Sequence, residues 1–417
     1  MKRYIGWIIL GALTCYLLGS LTPFFRNFAS LLAWLVPVIM WTSLGRSSRH
    51  LTLFLVVLGF LAIAFAAYHG VFLGWEQILA INLPLLAMFV AVSFLTLTSP
   101  GIDDPSLPEG HRAVVTTVIG THLLGAAINL SVIFVFGDRL QKAGKLSRVQ
   151  LIILARAFCA AAWWSPFFIA TGVALTYAPD MLWRETLIPG ILMSAVALTF
   201  SVIEVCWFRN ESFSGYPLQR ESLTVPLFLA SAVIAVHHFH PDFSILTLIC
   251  LLAPGGALLF MKGRPRLSAL HDFIQFRVSS VSSQFALFLA AGVFSTGIKS
   301  LITVYPTVFI LNSARFTPLL FAITSAVMIT VGIAGMHPVV SIAVVSPLLL
   351  PLHPDHSQLA FLFLTSWAVS TASSPLSGVG LTLVSRFRAS PQIILQSNYH
   401  YAIAMWAAAS TLNIIYF

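Results

Sequence analysis

The sequence predicts an all-α polytopic membrane protein with about 11 transmembrane helices and two re-entrant hairpins in two inverted repeats. Three observations predict this class. Hydrophobic residues make up 58% of the 417 residues, and charged residues only 8%. Apolar runs of about 20 residues, the length that a helix needs to cross a bilayer, recur from end to end. Two of these runs are interrupted by Ser-Pro about half a chain apart.

The charges and cysteines exclude several classes of protein. The formal net charge of +9 comes from basic residues in short loops beside apolar segments, a distribution typical of membrane orientation, so we expect no nucleic-acid partner. The four cysteines show neither paired nor metal-like spacing, so no disulfide, metal site or other cofactor is predicted. A nucleotide-binding loop of the G-x-x-x-x-G-K type is absent from the sequence, so ATP hydrolysis by this chain is not supported.

The apolar windows predict the helices in order. They lie near residues 4–20, 28–44, 51–68, 78–98, 113–136, 149–178, 185–207, 223–238, 244–261, 285–304, 307–352, 357–384 and 398–417. We interpret residues 1–27 as an extra N-terminal transmembrane helix. A cleaved signal peptide is the alternative, but no clear small-residue cleavage site follows the apolar core.

The basic loops predict which windows do not cross. With a cytoplasmic N-terminus and a single crossing per window, the loop at residues 138–148 would lie outside with four basic residues. All five basic loops face the cytoplasm if residues 113–136 form a re-entrant hairpin that turns between Gly125 and Asn129. The same reasoning makes residues of about 312–352 a second hairpin, turning near residues 335–338. We therefore expect the cytoplasmic (inner) membrane with the N-terminus inside.

An internal repeat underlies this arrangement. Ser165-Pro166 lies 209 positions before Ser374-Pro375, and residues 125–131 match residues 335–341 at an offset of 210. We place the first repeat at residues 28–210, with a broken helix at 149–178 interrupted at Ser165-Pro166 and again at Thr171-Gly172. A cytoplasmic linker at 211–222 leads to the second repeat at 223–417, with its broken helix at 357–384. Inverted repeats with paired broken helices indicate a secondary transporter with a site at the midplane.

These motifs resemble the ion transporter superfamily, and especially the divalent anion/sodium symporters. The hairpin tips read "GAAIN" and "GMHPVVS", and the breaks read "SPFFIATG" and "SSPLSGVG". Those symporters carry Ser-Asn-Thr at each tip and a Thr-Pro-Pro-Asn type of ending at the breaks. The resemblance implies an elevator-type transporter, a homodimer with a fixed scaffold and a mobile transport unit, and Na⁺ as coupling ion.

The sequence therefore predicts a secondary active transporter, not an enzyme, for a small organic or inorganic anion. None of the 13 acidic residues lies deep inside a predicted span, so sodium is favoured over protons as the coupling ion. Two alternatives stay open. One is a translocase of a lipid-linked or amphipathic substrate; the other is a membrane-embedded acyltransferase-like enzyme that uses His122 or His337 as base.

The candidate ligands are neutral oxygens and a few basic groups at the tips and breaks. Half-helix N-termini add positive potential there. For the anionic substrate we predict Asn129, Ser131, Ser165, Thr171, His337, Ser341, Ser374, Ser377 and Arg156. For the cation we predict Gly125, Asn129, Gly172, Gly335, Gly378 and Gly380, mostly through backbone carbonyls. Each histidine has a packing role as its alternative.

Arg156 and residues 266–285 each have two interpretations. A guanidinium suits a carboxylate substrate, but Arg156 lies near the cytoplasmic end of its span and Glu204 is placed to pair with it. Residues 266–285 predict an amphipathic interfacial helix, either a transport arm or a simple linker. Its apolar stripe is Leu267, Leu270, Ile274, Val278, Val281 and Phe285.

The predicted topology is testable by labelling. Single cysteines that replace Lys142 and Gly263, in a background without the native cysteines, should react with an impermeant maleimide only from the cytoplasmic side, because both loops carry orienting charge. Labelling of position 142 from outside would remove the first re-entrant hairpin and the inverted repeat with it.

Overall fold

The structure is a computed structural model that describes residues 2–19, 22–98, 107–209, 211–216, 220–240, 243–261, 266–306 and 315–417. Several predicted features lie outside these residues. They are Asp103, Asp104 and Asp242, residues 217–219 of the linker, residues 262–265 of one basic loop including Gly263, and residues 312–314 at the start of the second hairpin.

The described residues fold into α-helices at nearly all the predicted places. The helices are Lys2–Leu18, Pro23–Met40, Arg46–Tyr68, Trp75–Ala80, Leu83–Ser93, His111–Ile128, Ser131–Leu140, Arg148–Ala160, Ile169–Tyr177, Trp183–Trp207, Arg220–Phe239, Ile245–Leu259, Arg266–Asp272, Ser282–Val304, Pro318–Ile333, Pro338–Leu349, His356–Ser373, Gly378–Phe387 and Pro391–Tyr416. The helical turns at Asn129 and near residue 335 also lie where the sequence predicts them.

Six of these helical stretches are long and apolar enough to cross a membrane. They are Pro23–Ser43, Ser48–Tyr68, Trp75–Thr98, Trp183–Trp207, Gln284–Val304 and His356–Phe387, and shorter apolar helices accompany them in the described chain. The predicted all-α polytopic membrane class is therefore confirmed. The re-entrant path of the two hairpins stays a prediction.

The third span contains a break that the sequence analysis missed. Its helix ends at Ala80 and resumes at Leu83, just before Pro84, which has no backbone N–H to donate. Two side-chain hydrogen bonds join this break to neighbouring helices. Trp34 Nε1 donates to the carbonyl of Leu79 at 3.0 Å, and Asn82 Nδ2, within the break, donates to the carbonyl of Phe288 at 2.6 Å. The break is thus held by the helices Pro23–Met40 and Ser282–Val304.

The chain divides into two compact units, each drawn from both predicted repeats. The first comprises Met1–Ser99, Leu229–Ala314 and Ile342–His353. In it, Arg46–Tyr68 packs along Ser282–Val304, and Leu83–Ser93 packs on Ile245–Leu259. The second span of each predicted repeat thus contacts the third span of the other.

Two glycines allow a close helix crossing in this unit. A Cβ at Gly297 would lie 2.7 Å from the carbonyl oxygen of Gly59, and a Cβ at Gly59 would lie 2.9 Å from the backbone of Phe294. Real Cβ atoms do not tolerate such distances, so the two backbones meet because neither residue has a side chain.

The second unit comprises Pro100–Phe228, Arg315–Ser341 and Pro354–Phe417. Helices at corresponding positions of the two predicted repeats pack in the same way in this unit. His111–Ile128 packs on Arg148–Ala160, as Pro318–Ile333 packs on His356–Ser373. In addition, the second segment of each broken helix packs on the first segment of the other, Ile169–Tyr177 on His356–Ser373 and Gly378–Phe387 on Arg148–Ala160. Both predicted broken helices therefore belong to one unit.

The prediction of one continuous helix over residues 266–285 is wrong. An α-helix ends at Asp272, and a π-helical turn, Phe273–Arg277, and a 3₁₀ turn, Val278–Val281, follow it. Four members of the predicted stripe are buried, namely Ile274, Val278, Val281 and Phe285, whereas Leu267, in the short α-helix before these turns, is 82% exposed. Gly6 of the N-terminal helix permits this packing, since a Cβ there would overlap the carbonyl of Ile274.

The glycine crossing gives a stability test with an internal control. Gly297→Ala should lower the unfolding free energy by about 1–3 kcal/mol, because the new methyl group meets backbone that must move. Gly255→Ala is the matched control: nothing lies within 4 Å of its Cβ position, and alanine favours the helix. Thermal unfolding in detergent compares the two, and equal melting temperatures would contradict the close crossing.

Candidate functional site

The first break comprises residues 164–168, between the end of a 3₁₀ turn at Trp163 and the helix that begins at Ile169. Ser165 organises it. Its Oγ donates to the carbonyl of Ala126 at 2.5 Å and accepts the N–H of Phe167 at 3.2 Å. The carbonyl of Ser165 in turn accepts the hydroxyl of Thr171 at 2.6 Å. One serine thus ties the break to the helix His111–Ile128.

The second break, residues 374–377, repeats this pattern. Ser374 Oγ donates to the carbonyl of Ile333 at 2.9 Å and accepts the N–H of Leu376 at 3.2 Å. Ser377 Oγ lies 2.7 Å from the carbonyl of Thr371, a spacing of six residues that matches the bond between Thr171 and Ser165. The two serines, 209 residues apart, therefore make the same pair of hydrogen bonds, whereas the two bonds that span six residues lie 206 positions apart.

The Ser-Pro sequence explains why the chain breaks in this way. Proline donates no hydrogen bond and disfavours a helical conformation at the residue before it. The preceding serine supplies a side chain that both donates and accepts, so neighbouring backbone groups are paired although the helix is interrupted. Both serines are buried, with 1% and 0% of the surface of Ser165 and Ser374 exposed.

Each of the two helical turns, at Asn129 and near residue 335, contacts the break that follows it in the chain. Asn129 has a positive φ of 50°, which few residues other than glycine adopt. Its Nδ2 donates to the carbonyl of Phe167 at 3.0 Å, and its Oδ1 accepts the N–H of Ile169 at 3.4 Å. At the second turn, Gly335 has a φ of 113°, and a Cβ there would lie 2.6 Å from Leu376. Each turn and the break that follows it thus form one assembly.

His337 lies in the second turn beside an aromatic ring. Its ring centroid is 5.4 Å from that of Trp367, edge to face, and its Nδ1 accepts the N–H of Val339 at 3.3 Å. Ser341, one helical turn later, donates to the carbonyl of Pro338 at 2.9 Å. These contacts hold the start of helix Pro338–Leu349, and the substrate roles of both residues stay predictions.

The predicted second interruption at Thr171-Gly172 is wrong. Both residues lie inside helix Ile169–Tyr177, because Phe168 ends the break and the hydroxyl of Thr171 reaches back to it. Gly125 likewise lies inside a helix, where its carbonyl accepts the N–H of Asn129 at 3.1 Å. Ser131 begins the next helix and is half-buried.

The predicted glycines near the second break open a helix rather than interrupt one. Gly378 and Gly380 lie in the first turn of Gly378–Phe387, where Gly380 donates to Ser377 Oγ at 3.0 Å. The carbonyls of Gly172 and Gly378 accept hydroxyls of Thr176 and Thr382, both at 2.8 Å. Since a carbonyl oxygen has two lone pairs, these contacts are compatible with a cation role, which stays a prediction.

Arg156 pairs with Glu204, one of its two predicted roles. Its guanidinium is fully buried and donates to Glu204 Oε2 at 2.7 Å, to Asn398 Oδ1 at 2.7 Å and to the carbonyl of Ser397 at 2.6 Å. It also lies 4.5 Å from the ring centroid of Tyr401. The arginine thus joins the first broken helix to the last helix of the chain, and a role as substrate clamp stays a prediction.

His122 has a structural role that its isolation in the sequence concealed. Its Nε2 accepts the indole N–H of Trp164 at 3.0 Å, which requires an unprotonated Nε2, since indole is only a donor. Its Nδ1 therefore carries the proton and donates to the carbonyl of Ala157 at 3.1 Å. Both ring nitrogens are engaged, which disfavours His122 as the base of an acyltransferase.

Two hydroxyls beside the second break went unnoticed in the sequence. Thr371 and Ser373 are 8% and 1% exposed, and neither Thr371 Oγ1 nor Ser373 Oγ has a hydrogen-bond partner in the described structure. Buried hydroxyls are normally paired, so each is a candidate ligand for a molecule that binds there. The signal was the excess of hydroxyls in "STASSPLS", more than the backbone of one break requires.

Comparison with known proteins supports a fold rather than a family. No protein-family model matches the chain, and no curated protein matches it significantly. The YdaH transporter of Alcanivorax borkumensis, whose crystal structure reveals an unusual topology, superimposes with a TM-score of 0.56 over 88% of this chain and 98% of that one. The chain has the fold of a membrane transporter. At 13% identity the likeness concerns the fold alone.

Removing one charge of the Arg156–Glu204 pair should destabilise the protein more than removing both. Glu204→Gln should lower the unfolding free energy by about 3–5 kcal/mol, because it leaves a buried guanidinium without its carboxylate. The double variant Arg156→Met/Glu204→Leu removes both charges and should be more stable than Glu204→Gln. A thermal-unfolding cycle in detergent measures both, and a double variant less stable than Glu204→Gln would contradict a mainly structural ion pair.

Proposed function

We propose that this protein is a secondary active transporter that moves a small anion across the cytoplasmic membrane. The observation that supports it most is the pair of Ser-Pro breaks, built with the same hydrogen bonds and gathered in one unit of a transporter fold. Paired broken helices at corresponding positions of two halves are typical of the substrate site of a secondary transporter. Two such helices, each crossing the other's first segment, supply the elements of a transport site.

The charge around the breaks favours an anionic substrate. Helices Ile169–Tyr177 and Gly378–Phe387 begin at the two breaks, and helix N-termini carry partial positive charge. No acidic residue occurs in the sequence of either break or either turn. Thr371 and Ser373 add hydroxyls that can donate to an anion or offer an oxygen to a cation. We propose a small organic or inorganic anion as the substrate.

Sodium is the coupling ion that this chemistry favours. In the described residues, no group of three or more His, Cys, Asp or Glu side chains is placed to hold a metal ion. The turns and breaks instead offer carbonyl and hydroxyl oxygens, ligands that suit a hard cation. Coupling to sodium, with Asn129 and the glycines at the turns and breaks among its ligands, is part of the proposal.

The division into units favours an elevator mechanism. Both broken helices and the first helix of each predicted hairpin, His111–Ile128 and Pro318–Ile333, belong to the second unit. The long glycine-crossed helices and most of helix Pro338–Leu349 belong to the first. We propose that the second unit carries the substrate and that the first is a scaffold, in a homodimer with a cytoplasmic N-terminus. Each assembly of turn and break would then move as one body, because its hydrogen bonds are internal.

A ligand screen followed by transport tests this function. The purified protein is heated with mono- and dicarboxylates, sulfur oxyanions, phosphonates and lipids, each with and without sodium; a ligand of the native state raises the melting temperature. We expect a small anion to do so, more strongly with sodium, and to be taken up by proteoliposomes under a sodium gradient. Stabilisation by lipid-linked or amphipathic compounds alone would favour a translocase instead.

The unpartnered hydroxyls give the prediction at residue level. Thr371→Val and Ser373→Ala should weaken substrate or sodium binding about ten- to a hundredfold, since a hydrogen bond to a charged ligand is worth about 1.5–3 kcal/mol, and should leave the melting temperature unchanged. Thr382→Val is the matched control, because its hydroxyl is bonded to Gly378. Wild-type transport kinetics in both test variants would place the ligands elsewhere.

A further inference from the structure

A groove of about 240 Å³ lies in the first unit, apart from the two breaks. One wall is the N-terminal helix, through Leu10, Leu13 and Leu17, and the other is helix Ile245–Leu259, through Leu251 and Leu258. Thr14 also lines the groove, but its hydroxyl donates to the carbonyl of Leu10 at 3.0 Å. The walls therefore suit a purely apolar chain. From Leu10 to Leu17 they extend about 10 Å along the helix axis.

Basic and aromatic groups stand at one end of this groove. Leu270 lines it, and Arg266 precedes Leu270 by one helical turn on the same face of helix Arg266–Asp272. Trp7 lies one turn before Leu10, and its ring centroid is 6.3 Å from that of His271. Arg266 is exposed, and tryptophan is typical of the membrane interface. Asp272 is also exposed, but it lies at the opposite end of this helix from Arg266.

We propose that this groove binds one acyl chain of an anionic phospholipid, with the phosphate against Arg266. The apolar walls and the nearby arginine together support this occupant. A flat apolar face would contact any lipid without preference, whereas a groove with a cation at one end favours a lipid that has both an acyl chain and a negative charge. The lipid would connect the N-terminal helix, helix Ile245–Leu259 and the segment that follows Arg266. The proposal does not depend on the transported substrate.

Native mass spectrometry of the delipidated full chain tests the proposal. Re-equilibrated with phosphatidylglycerol or phosphatidylcholine of equal chain length, the protein should retain one phosphatidylglycerol with about fivefold higher affinity than phosphatidylcholine. Leu251→Trp fills the groove and should weaken retention about tenfold. Leu61→Trp is the control, since Leu61 is also an exposed leucine of this unit but does not line the groove.

The headgroup is tested separately from the chain. Arg266→Gln should abolish the preference for phosphatidylglycerol while phosphatidylcholine binding persists, and Arg46→Gln, which removes the same charge from another exposed site, should leave the preference unchanged. On the wild-type protein, phosphatidylglycerol with a photoreactive group in its acyl chain should label Lys2–Leu18 or Ile245–Leu259. This labelling needs no variant, so it decides the question even if Leu251→Trp does not fold.

Three results would overturn the groove as a lipid site. The first is equal phosphatidylglycerol retention by Leu251→Trp and wild type, and the second is photolabelling confined to other helices. The third is a Leu251→Trp protein that keeps its lipid but loses a dimer seen for the wild type, which would assign the groove to a second copy of the chain. An unchanged preference in Arg266→Gln would overturn the anionic headgroup.

Discussion

The second unit depends on a serine hydroxyl placed directly before a proline. In a bilayer, an interrupted helix leaves carbonyl and amide groups that no water can reach, and each unpaired group costs several kcal/mol. Ser165 and Ser374 solve the problem identically, by donating to the helix before the turn and accepting from the chain beyond the proline. These bonds hold each break against the helix that precedes its turn.

The hydrogen bonds at the breaks also distinguish structural residues from candidate ligands. Three hydroxyls already hold the breaks through hydrogen bonds within the protein, before any ligand binds. They belong to Ser165, Ser374 and Thr171. The hydroxyls of Thr371 and Ser373 have no hydrogen-bond partner in the described structure, so they are better placed to bind a ligand. His122 and Arg156 belong with the structural group, since both are held by several protein partners.

Much of the fold was predictable because hydrophobic length and loop charge act over whole helices. The helix that opens at Trp183 and the last helix from Pro391 lie close to their predicted windows. The break at Asn82 was missed because a single proline near a helix start does not distinguish a kink from an N-terminal turn. The predicted interruption at Thr171-Gly172 was wrong because neither residue is a strong helix breaker without a proline. The partners of Arg156 on the last helix could not be inferred, as the 242 residues that separate Arg156 from Asn398 carry no pairing signal in one sequence.

The two assemblies differ in how their second helices are capped. Helix Ile169–Tyr177 takes its cap from Asn129, a residue of the neighbouring turn, whereas Ser377 caps its own helix through the N–H of Gly380. Pulling the first turn away from its break would therefore strip a hydrogen bond from a helix end inside the membrane. The second helix keeps its cap whatever its turn does. If either turn separates from its break during a functional cycle, the second turn can do so without loss of a helix cap, so the two assemblies have unequal mechanical resistance to opening.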